Sequence, residues 1–469
     1  MPLIIVVSRA SYSWINSTRE CEPHKTEESI GENELKFTVI IPTRERPDTL
    51  YHALKTCVSQ DYDDLEILVS DNYSQDNTRD VVDSFKDPRI RYINTGERVG
   101  MSRNWEFALH HVSDGYVTVV GDDDGLLPDA ISGARFIIEN TGARVLVWQK
   151  AHYYWPSYHN EAFANRLCVP LAQRIVRIRR RSSLRAVENL FITPATCPQI
   201  YSGFVTSEVI KNWHGGRRAF IHSVSPDIYA GFAIAAMENE WLFMTRPLGI
   251  AGTSHHSIGN SFADPPPSRE TEWEKFSAEN GALTPHPNIR MIPGVLSLAL
   301  VESLLQANDH LFGRSLHINM KKLLRITFEG IAEFDESRYE ESVGRAMAMA
   351  HANGLTHYAT HCRRVYGRKP RKVAEATKWE NENTLNNIVY QSTLDIDASR
   401  FGVANVHEAA ILADKFLQPL PENFRVREYY FPGTVGAWIF NRLSRQPLYP
   451  LIAKRNLTPK ALFRFLIGT

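Results

Sequence analysis

Cysteine is scarce in this sequence, and the few cysteines are scattered. The 469 residues include five of them, Cys21, Cys57, Cys168, Cys197 and Cys362, and no two form a Cys-x-x-Cys pair. A disulfide framework or a zinc site built on paired cysteines is therefore not expected, and a reducing compartment is favoured.

Long apolar runs and an excess of charge of one sign are also missing. No apolar run approaches the ~20 residues of a membrane span, and the opening "MPLIIVV" lacks the basic flank of a signal peptide. The formal net charge is +0, which argues against a general nucleic-acid binder. We therefore expect a cytoplasmic protein, either free or associated with the cytoplasmic face of a membrane, with no nucleic-acid partner.

The composition that remains is that of a globular protein with more than one part. Hydrophobic residues make up 43% and charged residues 23% of a chain too long for one ordinary domain. Composition and periodicity predict four parts. These are a polar, disordered leader (1–35), an α/β domain (36–262), a Pro-rich linker around "DPPPSRE" (263–293) and a mainly α-helical C-terminal region (294–469).

Strand and helix patterns alternate four times after residue 36. Buried-strand runs such as "FTVIIPT", "LEILVSD" and "YVTVV" are separated by segments with helical spacing, such as "TLYHALKTCV". This alternation with short loops predicts an α/β fold with a mostly parallel sheet flanked by helices.

Polar residues follow three of the predicted strands. They are Thr43–Arg46, Ser70–Asn72 and Asp122–Asp124, the last within "VVGDDDGLLPD". In parallel sheets, ligands bind beyond the carboxyl ends of the strands. Three adjacent aspartates form either a solvated turn or a site for a divalent cation, and their place at this edge favours the cation.

The order of these motifs resembles family 2 glycosyltransferases with the GT-A fold. The segment "FTVIIPTRERPDTLYHALKTCVSQDYDDLEILVSDNYSQDNT", followed by "GERVGMSRNWEFALHHVSDGYVTVVGDDDGLLPDAI", carries the resemblance. It covers residues 37–131 well and residues 201–261 loosely. It implies transfer of a sugar from a nucleotide-diphosphate donor to an acceptor hydroxyl, with inversion as the expected outcome.

The resemblance also implies a metal site. Asp123 matches the family's metal ligand, Asp124 is a second ligand candidate, and Asp122 matches the residue on the ribose side. Gly121 stands where the family often has the first aspartate of its motif, so which of the three aspartates holds the metal stays open. Mg²⁺ or Mn²⁺ is the expected cofactor, because a hard cation on carboxylates neutralises the leaving diphosphate.

Other positions match the family's nucleotide-binding residues. Asp71 matches the carboxylate that accepts from a nucleobase N–H, which selects uracil or thymine and hence a UDP- or dTDP-sugar donor. The remaining matches are Pro42, Thr43, Glu45, Arg103 and Asn104. Asp71 could instead cap a loop, and Arg103 could make a surface ion pair.

A general base is expected in the second half of the domain. The stretch "SPDIYAGFAIA" predicts a helix with Ser225 as N-cap and Pro226 at its first position. Asp227 at its start matches the family's base, although it could act only through the helix dipole. His255, in "GTSHHSIGN", is a metal-ligand candidate, and a structural role stays open for it.

The alternatives to a transferase are a nucleotidyltransferase on a similar sheet and a non-catalytic sugar-nucleotide-binding scaffold. A nucleotidyltransferase usually has a Gly-rich phosphate loop near the first strand, and "IIPTRERPDT" contains none. The intact Asp71, Asp123 and Asp227 argue against a non-catalytic scaffold. A glycan or lipid-linked acceptor from cell-surface polysaccharide or glycoconjugate synthesis is the family's usual setting.

Three further segments leave alternatives open. The basic run "RIVRIRRRSSLR" predicts a solvated helix face or a contact with phosphate or anionic membrane. The final "IAKRNLTPKALFRFLIG" either docks on the protein or lies on a membrane surface. The apolar faces of the C-terminal helices must be covered by one another, by the catalytic domain or by a second chain, so a homo-oligomer is one outcome.

Overall fold

A computed structural model describes residues 35–193, 195–214, 220–257, 279, 284–367, 393–421 and 423–429. The polar leader before residue 35, the prolines of the linker at 265–267 and the final basic-apolar segment lie outside the described residues.

The N-terminal half alternates strands and helices as predicted. Its elements are β1 (Phe37–Thr43), α1 (Pro47–Val58), β2 (Leu65–Asp71), α2 (Thr78–Ser84), β3 (Ile90–Asn94), α3 (Met101–Leu109), β4 (Tyr116–Val119), β5 (Gly125–Leu126) and α4 (Ala130–Thr141). Strand β1 lies between β2 and β4, parallel to both, and Phe37 is level with Leu65 and Tyr116. Strand β3 continues the parallel order beyond β2.

The middle of the chain adds shorter strands. Its elements are β6 (Val145–Trp148), β7 (Ala151–Tyr154), β8 (Arg166–Pro170), β9 (Ile175–Arg179), α5 (Arg180–Glu188), β10 (Gly203–Thr206), α6 (Ser207–His214), α7 (Pro226–Met237), β11 (Glu240–Met244) and β12 (Gly249–Thr253). The basic run is therefore not one helix, because its first half is strand β9. Two of its arginines pair with acids on neighbouring strands: Arg177 with Glu240 at 3.3 Å and Arg179 with Glu428 at 3.4 Å.

Two sheets result. The nine-stranded sheet has the order β14-β9-β11-β6-β10-β4-β1-β2-β3, and five of its eight neighbouring pairs are parallel. A second sheet, which the sequence did not predict, has the order β13-β8-β7-β12-β5. Each sheet has one edge strand from the C-terminal part of the chain: β13 (Thr393–Asp397) in the second sheet and β14 (Val426–Tyr429) in the larger one.

Helices cover both faces of the larger sheet. Along β1, Val39 and Ile41 point into one buried cluster with Leu50 of α1, whereas Ile40 points into another with Trp105 of α3. This alternation is the period of two expected of a strand that is buried on both faces. The predicted fold class, α/β with a mostly parallel sheet and a helical C-terminal region, is confirmed.

The helical region is α8 (Leu296–His310), α9 (Met320–Ile331), α10 (Glu336–Ala352) and α11 (Thr356–Val365), packed around their own apolar cluster. The chain then returns to the sheets. Strand β13 pairs antiparallel with β8, β14 pairs parallel with β9, and α12 (Val406–Asp414) packs on the second sheet. Residues 393–421 and 423–429 thus belong with the α/β body, although the sequence placed them in the helical region. No helix among the described residues combines the length and apolar character needed to cross a membrane.

Candidate active site

The polar residues predicted at the sheet edge do meet there. Strands β1, β2 and β4 are parallel, so Thr43, Asp71 and the aspartates after β4 lie at one edge. Strand β10 is antiparallel to both β4 and β6, so β6 runs in the same direction as β4. The residues after β6 and before β10, Lys150 and Tyr201 among them, therefore reach the same edge.

Asp122 is fixed to the end of the first strand. Its carboxylate accepts from Thr43 Oγ1 at 2.9 Å and from Arg46 Nη1 at 3.0 Å. The same guanidinium donates through Nη2 to the His256 carbonyl at 2.6 Å. Burial raises the pKa of the Asp122 carboxyl, and the Arg46 charge opposes that rise. Arg46 thus ties the aspartate cluster to the 254–257 loop, a role that the sequence did not assign to it.

Asp123 faces the second sheet. Its Oδ2 accepts from Ser254 Oγ at 2.8 Å and also from Ser257 Oγ, and its carbonyl accepts from Trp155 Nε1 at 2.9 Å. A Cβ on Gly252 would lie 1.7 Å from the Asp123 carbonyl oxygen, so only glycine allows β12 to approach this closely. The ends of β7 and β12 therefore hold the aspartate in place.

Asp124 turns in a third direction. Its carboxylate accepts from Gly252 N at 2.7 Å and Gly121 N at 3.3 Å, and it also bonds the Tyr201 hydroxyl. Burial, reinforced by the Asp123 charge, raises its pKa to about 6. A Cβ on Gly121 would lie 2.6 Å from the Tyr201 hydroxyl oxygen. A side chain at position 121 would therefore require Tyr201 to shift.

The cluster has the right chemistry for a hard cation but not a closed set of ligands. Among the described residues, no group of three or more His, Cys, Asp or Glu side chains could hold a metal ion together. Mg²⁺ sites commonly use one or two carboxylates and complete their coordination with water and substrate phosphates. Asp123 and Asp124 fit that partial donor set. His255 lies on the loop that holds Asp123, next to the His256 ring, with the ring centroids 3.5 Å apart and the rings tilted by 42°. Among the residues described, it belongs to no group of three that could hold a metal ion.

Asp71 organises the loop after β2. It is 1% exposed, and its oxygens accept from Ser74 N at 3.0 Å, Ser74 Oγ at 2.6 Å, Tyr92 Oη at 2.5 Å and Asn94 Nδ2 at 3.1 Å. A carboxylate offers about four acceptor positions. A nucleobase N–H would therefore share or displace one of these contacts, and the nucleobase role of Asp71 stays a prediction.

The first-strand residues face different ways. Pro42 and Thr43 end β1, and Thr43 is buried against the cluster. Glu45 is exposed, has a φ of 52° and pairs with Arg98 at 2.6 Å. Its backbone N–H donates to Ser74 Oγ at 2.8 Å, so the loops after β1 and β2 are joined.

The predicted Arg-Asn pair is also divided. Asn104 is buried and exchanges hydrogen bonds with Ser70, through Oδ1 at 2.7 Å and Nδ2 at 3.1 Å. It therefore anchors α3 to β2. Arg103 is exposed on the same helix. Of the two, only Arg103 offers its side chain to the solvent side.

Asp227 lies in the first turn of α7, whose predicted start after Ser225 with Pro226 at the first position is confirmed. The carboxylate is partly buried. Burial raises the pKa of Asp227, while the charge of Lys150 and the backbone N–H groups of this turn oppose the rise. Lys150 and Tyr201 are the site residues that the sequence did not suggest, because "WQKAHYYW" and "PQIYSGF" match no motif.

Comparison with known proteins finds similarity over part of the chain. Residues 38–196 match the model of glycosyl transferase family 2. The chain is 41% identical over 100 residues to the GalNAc(5)-diNAcBac-PP-undecaprenol beta-1,3-glucosyltransferase of Campylobacter jejuni, covering 21% of this chain and 32% of that protein. It is 26% identical over 124 residues to WfaP of Escherichia coli, a UDP-Glc:alpha-D-GlcNAc-diphosphoundecaprenol beta-1,3-glucosyltransferase. This match covers 26% of this chain and 46% of WfaP.

The matched segments thus span less than half of either relative. Among solved structures, Staphylococcus aureus TarS 1–349 in complex with UDP-GlcNAc aligns with a TM-score of 0.42 at 12% identity, covering 71% of this chain and 92% of that one. The resemblance seen in the sequence is confirmed over residues 38–196, which match the family model.

Proposed function

We propose that the protein is a metal-dependent glycosyltransferase. It moves a sugar from a nucleotide-diphosphate donor to an acceptor hydroxyl, with inversion, in the synthesis of a cell-surface polysaccharide or glycoconjugate. The observation that carries the proposal is the cluster Asp122–Asp124, which lies at the carboxyl edge of the sheet inside the family 2 segment. Each of its carboxylates is held by a different element.

The relatives support a donor and an acceptor class. The E. coli relative is named for UDP-glucose, and both curated relatives are named for undecaprenyl-diphosphate acceptors. We therefore propose a UDP-sugar as donor, with a dTDP-sugar as the alternative, and a lipid-linked glycan as acceptor. Work on such an acceptor would place the protein at the cytoplasmic face of a membrane.

In this mechanism the acceptor oxygen forms a bond to the anomeric carbon while the bond from that carbon to the β-phosphate oxygen breaks. The electron pair leaves with the diphosphate, and the acceptor proton passes to the Asp227 carboxylate. A bound Mg²⁺ or Mn²⁺ supplies Lewis-acid neutralisation of the diphosphate. Asp123, with Asp124, would hold it.

Two features suit Asp227 to the base role. A general base works best when its pKa approaches the working pH, and burial raises the pKa of Asp227 in that direction. The first turn of α7 presents backbone N–H groups that favour a carboxylate, so the side chain has a defined place.

The test is a panel of UDP-, dTDP- and GDP-sugars, incubated with the full chain and Mn²⁺ or with a chelator. A polyprenyl-diphosphate-linked N-acetylhexosamine serves as acceptor. We expect Mn²⁺-dependent release of nucleoside diphosphate with one donor, and a product whose anomeric configuration, read by NMR, is inverted.

The other outcomes separate the alternatives. Release of pyrophosphate from a nucleoside triphosphate and a sugar phosphate would indicate a nucleotidyltransferase. Nucleotide binding without release of diphosphate from any donor, with or without acceptor, would indicate a binding scaffold. Full activity in the chelator would overturn the metal dependence, and a retained anomeric configuration would overturn the inversion.

A further inference from the structure

Lys150 lies among the carboxylates of the site. It follows β6 by two residues, so topology places it at the edge that carries the aspartate cluster. It lines a narrow cavity together with Asp124, Tyr201, Gly249 and Ile250. The charge of its ammonium interacts with Asp124, Asp227 and Asp123.

The ring of Tyr201 fixes the ammonium. Lys150 Nζ lies 3.9 Å from the centroid of this ring, a distance at which an ammonium is attracted to an aromatic face. The ring is itself stacked on Trp105, with centroids 5.7 Å apart, and its hydroxyl bonds Asp124. The lysine therefore has a defined place although it forms none of the ion pairs found among the described residues.

We propose that Lys150 binds the diphosphate of the donor and stabilises it as the leaving group. The proposal rests on the proposed function. The charge of the ammonium interacts both with the aspartates assigned to the donor side and with the aspartate assigned to the acceptor proton. The bond between the anomeric carbon and the β-phosphate oxygen must break between those two groups. A fixed cation there meets the negative charge that the diphosphate gains when it takes the electron pair.

A purely structural lysine is the competing explanation. A lysine beside buried carboxylates can serve only to balance their charge. The two roles differ in what they predict for ligands, because a diphosphate-binding lysine distinguishes UDP from UMP and a structural lysine does not.

The experiment is isothermal titration of the full-length protein with UDP and with UMP, Mn²⁺ being present throughout. Lys150→Met keeps an unbranched side chain, one atom shorter, and removes its charge. We expect the affinity for UDP to fall by about tenfold or more, as for the loss of a charge-assisted contact, while the affinity for UMP changes less than about twofold. Lys150→Arg keeps the charge and should recover part of the UDP affinity. Lys415→Met, an exposed lysine on the described surface, is the matched control and should bind both nucleotides as wild type does.

Thermal unfolding of each variant completes the test. Equal weakening of UDP and UMP by Lys150→Met, or unchanged affinity for both, would overturn the assignment. If Lys150→Met lowers the melting temperature, Lys150→Gln gives a second comparison, and the ratio of UDP to UMP affinity still decides. A wild-type protein that binds no nucleoside diphosphate would overturn the proposed function, whereas one that binds UDP equally well with and without Lys150 would overturn this inference alone.

Discussion

At the residue scale, three consecutive aspartates at the candidate site have three different sets of partners. Asp122 is bonded to the first strand, Asp123 to the 254–257 loop and Asp124 to β12. The cluster therefore joins the two sheets while it presents carboxylate oxygens at their common edge. Substitutions here can remove charge without removing shape.

Asp123→Asn should abolish most activity and leave the fold intact. The amide oxygen can still accept from Ser254 and Ser257, but it is a poorer ligand for a hard cation than a carboxylate. We expect Mn²⁺-dependent diphosphate release to fall by about 10²-fold or more, with an unchanged melting temperature in metal-free buffer. Turnover at the wild-type rate in Mn²⁺ or Mg²⁺ would show that Asp123 is not the ligand.

Asp227→Asn should separate chemistry from binding. Loss of a general base costs about 10²- to 10⁴-fold in rate, whereas the donor does not need this carboxylate. UDP affinity by titration should stay within about twofold of wild type while transfer to the acceptor is lost. Because burial raises the pKa of Asp227, the wild-type transfer rate should decline as the pH falls through that raised pKa. The residual rate of the variant should not show this decline at acidic pH. Weakened UDP binding would place Asp227 in the donor pocket instead.

Asp124 should make the metal-free protein less stable as the pH rises. Its pKa in the folded protein is raised from 3.8 to about 6, so the folded state holds the proton more tightly than the unfolded state does. The stability that this proton contributes is full below pH 3.8 and is lost as the pH rises through about 6, a change of about 3 kcal/mol. Asp124→Asn should lack this component.

The measurement for Asp124 is urea unfolding of wild type and Asp124→Asn between about pH 3.5 and 7.5 in chelator. We expect the free energy of unfolding of wild type, relative to the variant, to fall with pH, and added Mn²⁺ to oppose the fall. Parallel pH profiles would contradict the assignment of the titrating group to Asp124.

At the scale of elements, a buried carboxylate of the helical region bonds the segment that leads into α7. Glu302 of α8 is 0% exposed and accepts from Ser223 Oγ at 2.8 Å, His286 N at 3.0 Å and Gln306 Nε2 at 2.9 Å. The Ser223 carbonyl in turn accepts from Ser102 Oγ of α3 at 2.6 Å. These contacts hold the segment that leads into α7 and Asp227.

Glu302→Gln should therefore destabilise the protein, because an amide NH₂ replaces one acceptor oxygen where three donors converge. We expect a loss of about 1–3 kcal/mol in the free energy of unfolding, measured with urea. Glu341→Gln removes an exposed helical ion pair to Arg345 and should change that free energy by less than about 0.5 kcal/mol. Equal losses in the two variants would show that the network does not stabilise this junction.

The sequence predicted the first half of the fold well and the second sheet not at all. Strands β1, β2 and β4 are continuous apolar runs separated by helical periodicity, so local pattern sufficed. Strands β7 and β8 are only four and five residues long, and β8 completes its pairing with β13. Arg166 reaches Asp395 across 229 positions of the chain, a separation that no local pattern reveals.

The site shows the same limit. Aspartates after a strand can be recognised from the sequence, because a charged triplet at the end of a buried run is unusual. Arg46, Lys150 and Tyr201 could not be recognised, because their roles follow from strand order. The burial of Asn104 against Ser70 likewise depends on how α3 packs on β2.

At the scale of the whole molecule, the C-terminal segments 393–421 and 423–429 are part of the α/β body. Arg246 is 1% exposed and pairs with Asp129, which follows the aspartate loop, at 2.7 Å, and with Asp414 of α12 at 3.6 Å. Residues of the first of these segments also share an apolar cluster with the second sheet, in which Leu394 packs with Leu167. That sheet carries Gly252, which bonds Asp124, and leads into the 254–257 loop, which bonds Asp123.

This arrangement predicts the outcome of cutting the chain after residue 262, just before the Pro-rich linker. The fragment 35–262 loses β13, β14 and α12, and it exposes the apolar cluster, at a cost of about 2 kcal/mol for each large side chain uncovered. It also leaves the buried Arg246 charge without Asp414. Stabilities of whole domains are only about 5–15 kcal/mol, so we expect the fragment to aggregate or to lose its cooperative thermal transition.

A chain of residues 35–429 is the matched control, because it retains every described strand and helix. It should unfold cooperatively, as followed by circular dichroism and calorimetry, and should release diphosphate from the donor. A fragment 35–262 that is monomeric, melts as the control does and transfers sugar at the control's rate would make everything after the linker an independent appendage. The prediction would then be wrong, because a body that keeps its stability without β13 and α12 cannot depend on them to hold the second sheet against the aspartates.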